Sequence, residues 1–491
     1  MDTPRTRAIG AALIVSVLST LLFLFRSLHD VVTWPFVHDA PLLHYAVYLS
    51  HHGFRFYQDI HDMNMPGAYL TEDIVMRTLG SGRVGWILWD FILSGLLVAY
   101  CIQLFGKKRI AYGWIAGVIA VLAHYADGAA YLGERDWMVA VFLVGAALSV
   151  LRWIEHSGPV CLLLASLQIS FAAWVKPTAL LCFVLVFWGI YHNRKQAQSS
   201  RVFIALGVGF VVPAFVIGTY LWTYGTRDGF IDLILRLLPY YASVGNAVHL
   251  EKPALILCLI VAARFFSPQS AVNRPRLILL QLLSAVGLLS FYLQGKGFVY
   301  HRYILLTGVC LLLSTLIMEW IDSGGIRTSV GIVVLLLLAV LVPSRLITLQ
   351  LKRAYPTGTI TALEQDLGHF SHHGLEHSIQ CLDMIHGGCI NVLYRMHAIQ
   401  TTGFIHDYYL FPARQTSITS EYQETFLRAL TDAPPRVLVV SEQDWPANMG
   451  YSKLERWPAF VYFLNAHYDL KITHTQGPHD FAGYRVYVIK A

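Results

Sequence analysis

Charged side chains are scarce in this chain of 491 residues. They make up only 13% of it, whereas 56% of the residues are hydrophobic, and the mean hydropathy is +0.53. A soluble domain typically carries about 25% charged residues. This shortage excludes a water-soluble globule of this length, because too few polar side chains remain to cover its surface. We therefore expect lipid to surround most of the chain.

Other features are also missing. The net charge is only +6, and no basic run with interleaved aromatic residues occurs, so nucleic acid is not an expected partner. The chain shows no internal repeat and no low-complexity tract. Near the N-terminus, Arg5 and Arg7 precede an apolar run without a small-residue cleavage site. This pattern predicts a retained first span rather than a removed signal peptide.

Apolar runs dominate the first 350 residues. A helix that spans a bilayer needs about 20 mostly apolar residues. By that criterion the sequence predicts about eleven spans, at residues 9–28, 84–105, 110–125, 137–154, 160–174, 178–191, 202–222, 254–266, 277–293, 303–321 and 329–346.

Basic residues in the connecting loops predict the orientation, since cytoplasmic loops collect Lys and Arg. With the N-terminus inside, the basic groups at Lys107–Arg109, 194–201, 274–276 and 327 also lie inside. An odd number of spans then places the C-terminal tail outside. The loops predicted to lie on the outer face are 29–83, 127–136, 225–253 and 294–302.

The composition changes near residue 351. Short strands are predicted at 437–440 and 484–489, and helices at 363–373 and 420–430. The predicted fold class is therefore an all-α membrane domain over 1–350, followed by a small α/β domain over 351–491 on the extracytoplasmic side. Two tail cysteines, Cys381 and Cys389, could pair in an oxidising compartment, but their spacing leaves this open.

Ionisable residues on the predicted outer face allow two interpretations each. Asp39, followed by Ala40 and Pro41, is typical of a helix N-cap, and it could equally act as a general base. The stretch 53–69 is either an interfacial helix edged with aromatic residues or a loop that binds an acceptor or sugar. The candidate ligands in that stretch are Tyr57, Asp59, Asp62 and Asn64.

Acids and cations recur at other predicted span ends. Glu134, Arg135 and Asp136 precede the fourth predicted span, where acids stabilise a helix N-terminus. With Arg135, the same helix end could bind a phosphate, and the two acids could hold a divalent cation. Lys176, Lys296, His301 and Arg302 are either snorkelling anchors or ligands of a lipid phosphate.

Taken in their order along the chain, these motifs resemble those of the GT-C glycosyltransferases, which are polytopic enzymes that use polyprenyl-phosphate-linked sugars. The family includes protein O-mannosyltransferases, the lipid A aminoarabinose transferase and the rhizobial lipopolysaccharide core galacturonosyltransferases. The resemblance covers about residues 9–345. The matching motifs are Asp39, G-x-x-x-Y-x-D at 53–59, D-M-N-x-P-G at 62–67, G-E-R-D at 133–136, Lys176-Pro177 and Q-G-K-G-F-x-Y-H at 294–301.

The resemblance implies an enzyme of the bacterial cytoplasmic membrane. Asp39 would be the base of a single inverting displacement, and Tyr57, Asp59, Asp62 and Asn64 would bind the acceptor or sugar. The donor phosphate, or a divalent metal, would be bound by Glu134, Arg135, Asp136, Lys176, Lys296, His301 and Arg302. No other cofactor is implied.

The implied partners are a polyprenyl-phosphate-linked sugar, membrane lipids, and a lipid or glycan acceptor of the cell envelope such as lipopolysaccharide. Protein O-mannosyltransferases carry an Asp-Glu pair in the first loop, where this chain has Asp39 and Ala40. That departure argues against a protein acceptor.

A further motif lies in the tail. His373, Glu376 and His377 fit the H-x-x-E-H pattern of some zinc peptidases. Such a site needs a helix, which Gly374 disfavours. A solvated helix face is the simpler interpretation of this segment.

Two other function classes remain open at this stage. A transporter or flippase would show repeated halves and charges near the middle of its spans, whereas these charges lie at span ends. A non-catalytic assembly or sensor protein would tolerate replacement of Asp39.

Overall fold

The computed structural model describes residues 4–245, 256, 260, 274–370, 374–383, 388–443 and 445–490. Three predicted features lie wholly or largely outside these residues. They are the span at 254–266 (apart from residues 256 and 260), the loop residues 246–253, and His373 of the tail motif.

The N-terminal part of the chain is helical. Its helices, in chain order, are α1 (Pro4–Val31), α2 (Asp39–His51), α3 (Pro66–Thr78), α4 (Arg83–Phe105), α5 (Ile110–Tyr125), α6 (Arg135–His156), α7 (Pro159–Val175), α8 (Phe183–His192), α9 (Arg194–Ala197) and α10 (Ser200–Tyr224).

Helices continue into the tail, where strands join them. The helices are α11 (Arg227–Asp232), α12 (Leu238–Ser243), α13 (Arg274–Gln294), α14 (Tyr303–Ser323), α15 (Gly325–Lys352), α16 (Gly358–Gly368), α17 (Cys389–Arg395), α18 (Ser417–Asp432) and α19 (Pro458–His467). The strands are β1 (Ile379–Leu382), β2 (Val437–Ser441), β3 (Tyr468–His474) and β4 (Tyr484–Ile489).

Seven helices in the described residues are long and apolar enough to cross a membrane. The other predicted spans that the structure describes form shorter apolar helices: α5, α7, and a 3₁₀ turn at Pro177–Cys182 that leads into α8. The structure therefore confirms a polytopic helical membrane protein with a small C-terminal sheet.

The chain divides into two compact units. The first comprises Met1–Trp34, Val84–Ile217 and Ala247–Ala354, and the second comprises Pro35–Arg83, Gly218–Asn246 and Tyr355–Ala491. The segments 35–83 and 218–246, which sequence analysis assigned to the membrane domain, thus belong to the same compact unit as the tail.

In the first unit, α6 is the central helix. Its most apolar stretch is 83% buried, whereas that of α1 is 17% buried. Large apolar side chains on α1, such as Phe25 and Leu22, are more than 70% exposed, as expected of a surface that faces lipid. Serine side chains join neighbouring helices. For example, the Ser166 hydroxyl donates to the Leu206 carbonyl at 2.9 Å, a type of contact common between membrane helices.

In the second unit, a four-stranded sheet has the order β1-β2-β4-β3. β1 and β2 are parallel, while β4 is antiparallel to both β2 and β3. Every residue of β2 is buried, which fits its uninterrupted apolar sequence and its central position. Beside the sheet, an aromatic core forms around Phe426 of α18, Trp457 and Phe460.

The tail cysteines form a disulfide, Cys381–Cys389, which answers the question that their spacing left open. The described part of the H-x-x-E-H motif is not helical, since Gly374 has φ +72° and His377 has φ +53°. The predicted helix at 363–373 instead ends at Gly368. The zinc-peptidase interpretation therefore lacks the helix that it requires.

Candidate active site

A buried carboxylate on α4 fixes the start of α6. Asp90 accepts the Gly133 backbone N–H at 2.7 Å and the His124 ring Nε2–H at 2.8 Å. The His124 ring also stacks on Trp137 in the first turn of α6, with ring centroids 4.3 Å apart. Gly133 has φ +64°, and a Cβ there would lie 2.3 Å from the Trp86 indole nitrogen. Only glycine fits this turn. The close contact between Gly133 and Trp86 therefore helps to hold the N-terminus of α6 in place.

Six of the predicted site residues gather at this helix end, and we call them the α6 cluster. They are Glu134, Arg135, Asp136, Lys176, Lys296 and His301. Lys176, between α7 and the following 3₁₀ turn, donates to both Asp136 carboxylate oxygens at 2.8 and 2.6 Å. The Glu134 side chain caps α6 by accepting the Arg135 N–H at 2.9 Å.

The loop between α13 and α14 completes the α6 cluster. His301 lies close enough to Lys176, Arg135 and Lys296 to interact electrostatically with all three. His301 is 4% exposed, and its Nδ1 has no hydrogen-bond partner in the part of the chain that the structure describes. The Lys176 ammonium lies 5.6 Å from the Tyr300 ring centroid.

Positive charge exceeds negative charge in the α6 cluster. Three cations and a histidine face two carboxylates, and the α6 N-terminus adds a partial positive charge. Burial lowers the pKa of Lys296 to about 8. Burial also lowers the pKa of Lys176, although the Asp136 carboxylate acts in the opposite direction. Buried cations in excess, beside a helix N-terminus, favour an anion such as a phosphate.

Arg302, also predicted to bind phosphate, is engaged elsewhere. Its guanidinium lies 2.6 Å from an Asp127 carboxylate oxygen, which Arg353 also contacts at 2.9 Å. The Tyr303 hydroxyl donates to the other Asp127 oxygen at 3.1 Å. The Arg302 side chain is 43% exposed, so part of it is accessible beyond its contact with Asp127.

Metal binding by Glu134 and Asp136 stays a prediction, and both acids have other partners in this structure. Both Asp136 oxygens already bind the Lys176 ammonium, and one Glu134 oxygen caps α6. A divalent cation would have to displace Lys176 from Asp136. Asp136 therefore has a lysine partner in place of a metal.

In the second unit, Asp39 is the first residue of α2 rather than its N-cap. The N-cap is His38, which makes no side-chain capping bond and has φ +65° and ψ −129°. Such a backbone is uncommon for a residue other than glycine, and strain of this kind tends to accumulate at functional sites. The His38 Nδ1 lies 3.3 Å from an Asp39 carboxylate oxygen, and Asp39 is 7% exposed. The N-cap alternative for Asp39 is therefore wrong.

Three of the four predicted acceptor residues form one network. Asp62 accepts the Met63 backbone N–H at 2.7 Å and the Asn64 amide N–H at 2.7 Å. The Tyr69 hydroxyl also donates to Asp62, and the Tyr57 hydroxyl donates to the Asn64 carbonyl at 2.7 Å. Asp62 is fully buried, so its carboxylate organises the loop from within.

Asp59 lies outside this network. Its carboxylate accepts the Arg55 backbone N–H at 2.8 Å, which closes a tight local turn. A direct role of Asp59 in binding an acceptor stays a prediction.

Four residues that shape these clusters lie outside the motifs predicted from the sequence. Asp90 and His124 lie inside predicted spans, where an ionisable residue is itself a functional signal. Asp127 directly follows such a span. His406 lies 3.2 Å from Asp62 yet is separated from it by more than 300 residues of sequence, and no local pattern marks it.

No protein-family model matches the chain, and no curated protein matches its sequence. Solved structures do match its fold. ArnT from Cupriavidus metallidurans, bound to undecaprenyl phosphate, aligns with a TM-score of 0.56 over 98% of this chain and 97% of ArnT, at 10% identity. The oligosaccharyltransferase from Archaeoglobus fulgidus, tethered to an acceptor peptide with an NVT sequon, aligns with a TM-score of 0.52 over 96% of this chain and 73% of that enzyme, at 12% identity.

Both neighbours are GT-C glycosyltransferases. The chain therefore has the fold of GT-C membrane enzymes, as the motifs predicted. The predicted roles of individual residues are a separate question, because identities this low establish the fold alone.

Proposed function

We propose that this protein is a membrane glycosyltransferase. It moves a sugar from a polyprenyl phosphate to an acceptor hydroxyl on a lipid or glycan of the cell envelope. The observation that carries the proposal is the α6 cluster, a largely buried excess of cations at a helix N-terminus in a chain with the GT-C fold. ArnT, which shares this fold, was solved with undecaprenyl phosphate bound.

The α6 cluster suits the phosphate of the donor. In an inverting transfer, the acceptor oxygen attacks the anomeric carbon from the face opposite the phosphate. The bond between that carbon and the phosphate oxygen breaks, and polyprenyl phosphate leaves with the bonding electrons. Lys176, Lys296, Arg135 and His301 stabilise the charge that develops on the leaving phosphate.

Asp39 takes the proton from the acceptor hydroxyl as the new bond forms. Its place in the first turn of α2 favours a carboxylate, since a helix N-terminus stabilises negative charge. The strained His38 that precedes it fixes where α2 begins. The transfer that we propose needs no metal held by Asp136, because Lys176 occupies that carboxylate.

The reaction takes place on the outer face of the bacterial cytoplasmic membrane. The positive-inside pattern of the loops supports this orientation. The Cys381–Cys389 disulfide supports it as well, because such bonds persist in oxidising compartments.

The test uses the purified chain in lipid nanodiscs with undecaprenyl phosphate that carries a radiolabelled sugar. An outer-membrane lipid extract supplies the acceptor. We expect label to move to the extract lipids with release of undecaprenyl phosphate.

A parallel assay in proteoliposomes measures movement of labelled donor across the bilayer. Movement of donor without transfer of label, for every donor sugar tried, would overturn the proposal in favour of a flippase.

A further inference from the structure

The C-terminal segment 403–409 is built against the segment 59–62 within the second unit. The His61 backbone N–H donates to the Gly403 carbonyl at 3.2 Å, and the Tyr409 hydroxyl donates to the His61 carbonyl at 2.6 Å. A Cβ on Gly403 would lie 1.9 Å from the Asp59 carbonyl oxygen. The His61 ring packs 4.2 Å from Phe404, measured between centroids. The predicted acceptor loop and the tail therefore form one structure here.

His406 is the basic side chain that this contact brings to Asp62. Its Nε2 lies 3.2 Å from the Asp62 Oδ1, and both side chains are almost completely buried. Burial alone would raise the pKa of Asp62. The contact with His406, together with the Tyr69 and Asn64 hydrogen bonds, instead holds that pKa below its usual value.

The other titratable groups around Asp62 are mostly tyrosines. Tyr57, Tyr408 and Tyr409 each interact electrostatically with the Asp62 carboxylate. Burial raises the pKa of all three hydroxyls, so they stay neutral and add no negative charge beside the carboxylate. Asp407 follows His406 directly, but it forms its own ion pair with the buried Lys453. Within the described residues, His406 is thus the basic side chain that pairs with Asp62.

We propose that His406 is a positioning residue for acceptor recognition, acting through Asp62 to fix the loop 59–67. This inference rests on the proposed function and assigns the tail a part in it. Because hydrogen bonds and His406 occupy both Asp62 oxygens, the pair orients the loop rather than contacting the acceptor. Loss of one partner of a buried carboxylate is unfavourable, so loss of His406 forces the loop to rearrange.

Kinetics in the nanodisc assay test this role with His406→Gln, Asp62→Asn and the double variant. His467→Gln, an exposed histidine of the same unit, is the matched control. We expect His406→Gln to raise the half-saturating concentration of the lipid extract about tenfold, a change of about 1.4 kcal/mol. The half-saturating donor concentration should stay within about twofold, and the double variant should show no further loss, because the two residues act as one unit.

Hydrogen exchange measured by mass spectrometry gives a readout that needs no activity. We expect exchange to quicken within 59–67 in His406→Gln and Asp62→Asn, with His467→Gln unchanged. The positioning role would be overturned if the half-saturating concentrations of donor and acceptor rose equally. Additive effects of the two substitutions in the double variant would also overturn it. The role would also be overturned if the native chain transfers sugar while the two variants keep its exchange rates within 59–67 and its half-saturating acceptor concentration.

The two proposals can fail separately. If the native chain transfers no label while His406→Gln still loosens 59–67 alone, the proposed function fails and the coupling of His406 to the loop stands.

Discussion

The α6 cluster and the Asp62 network are both buried and rich in charge, but they are built in opposite ways. In the α6 cluster, cations outnumber acids, and the His301 Nδ1 has no hydrogen-bond partner among the described residues. In the Asp62 network, one carboxylate receives three hydrogen bonds and a histidine. A cluster with surplus charge can accept a ligand of opposite charge, whereas a carboxylate with partners on both oxygens holds its own loop in place.

The largest expected effect comes from neither cluster but from the base that we assign. Asp39→Asn keeps the size of the side chain and removes its ability to take a proton. We expect transfer to fall about 10²–10⁴-fold, the usual contribution of a general base, while the affinity for undecaprenyl phosphate is retained. Asp228→Asn, an exposed acid in the first turn of α11, should transfer at the native rate. Normal transfer by Asp39→Asn would refute the assignment.

Breaking the lysine–carboxylate pair of the α6 cluster should affect stability and binding together. Lys176→Met leaves the buried Asp136 carboxylate without its cation. Removal of one partner from a buried pair typically lowers the free energy of unfolding by about 3–5 kcal/mol. The double variant Lys176→Met with Asp136→Leu removes both charges. We expect it to recover thermal stability but not affinity for undecaprenyl phosphate. If affinity returned with stability, the pair would be only structural.

The turn before α6 offers a smaller and purely geometric test. Gly133→Ala forces a side chain into the left-handed region and against Trp86, at a cost of about 1–3 kcal/mol. Gly218→Ala in α10 is the control, because a Cβ there meets nothing within 4 Å. Thermal unfolding in detergent should show a clear loss for the first variant alone.

The smallest expected effect is a pH dependence of donor binding. The buried Lys296 has a pKa of about 8, so its ammonium is present below that pH and is lost above it. Affinity for undecaprenyl phosphate should therefore fall as the pH rises through about 8. Lys296→Gln should lack this step. A step that persists in the variant would assign it to another group.

The sequence alone predicted the membrane helices because each is a long apolar run with charges at its ends. It also predicted β2 and β4, in which four consecutive apolar residues occur, 437–440 in β2 and 486–489 in β4. It did not predict β1, which is only four residues long, or β3, where Asp469 and Lys471 interrupt the apolar pattern.

The candidate site shows the same division. The motif 133–136, Lys176 and the loop 294–302 were marked by charge at span ends, and the structure brings six of their residues together. Charge at span ends does not predict which of these side chains are buried or which of them pair with one another. Arg302 binds Asp127, and Asp62 contacts His406 of the distant tail. The sequence does not predict these contacts, because they depend on tertiary packing that no local pattern records.

The most direct test compares the two clusters in one binding experiment. It measures the affinity of the chain in nanodiscs for undecaprenyl phosphate, at pH 7, for the native sequence, Lys296→Gln and Asp62→Asn. We predict that Lys296→Gln weakens binding about tenfold, or about 1.4 kcal/mol, and that Asp62→Asn binds as the native chain does. Native affinity in Lys296→Gln, or an equal loss in both variants, would contradict the assignment of the α6 cluster as the donor phosphate site.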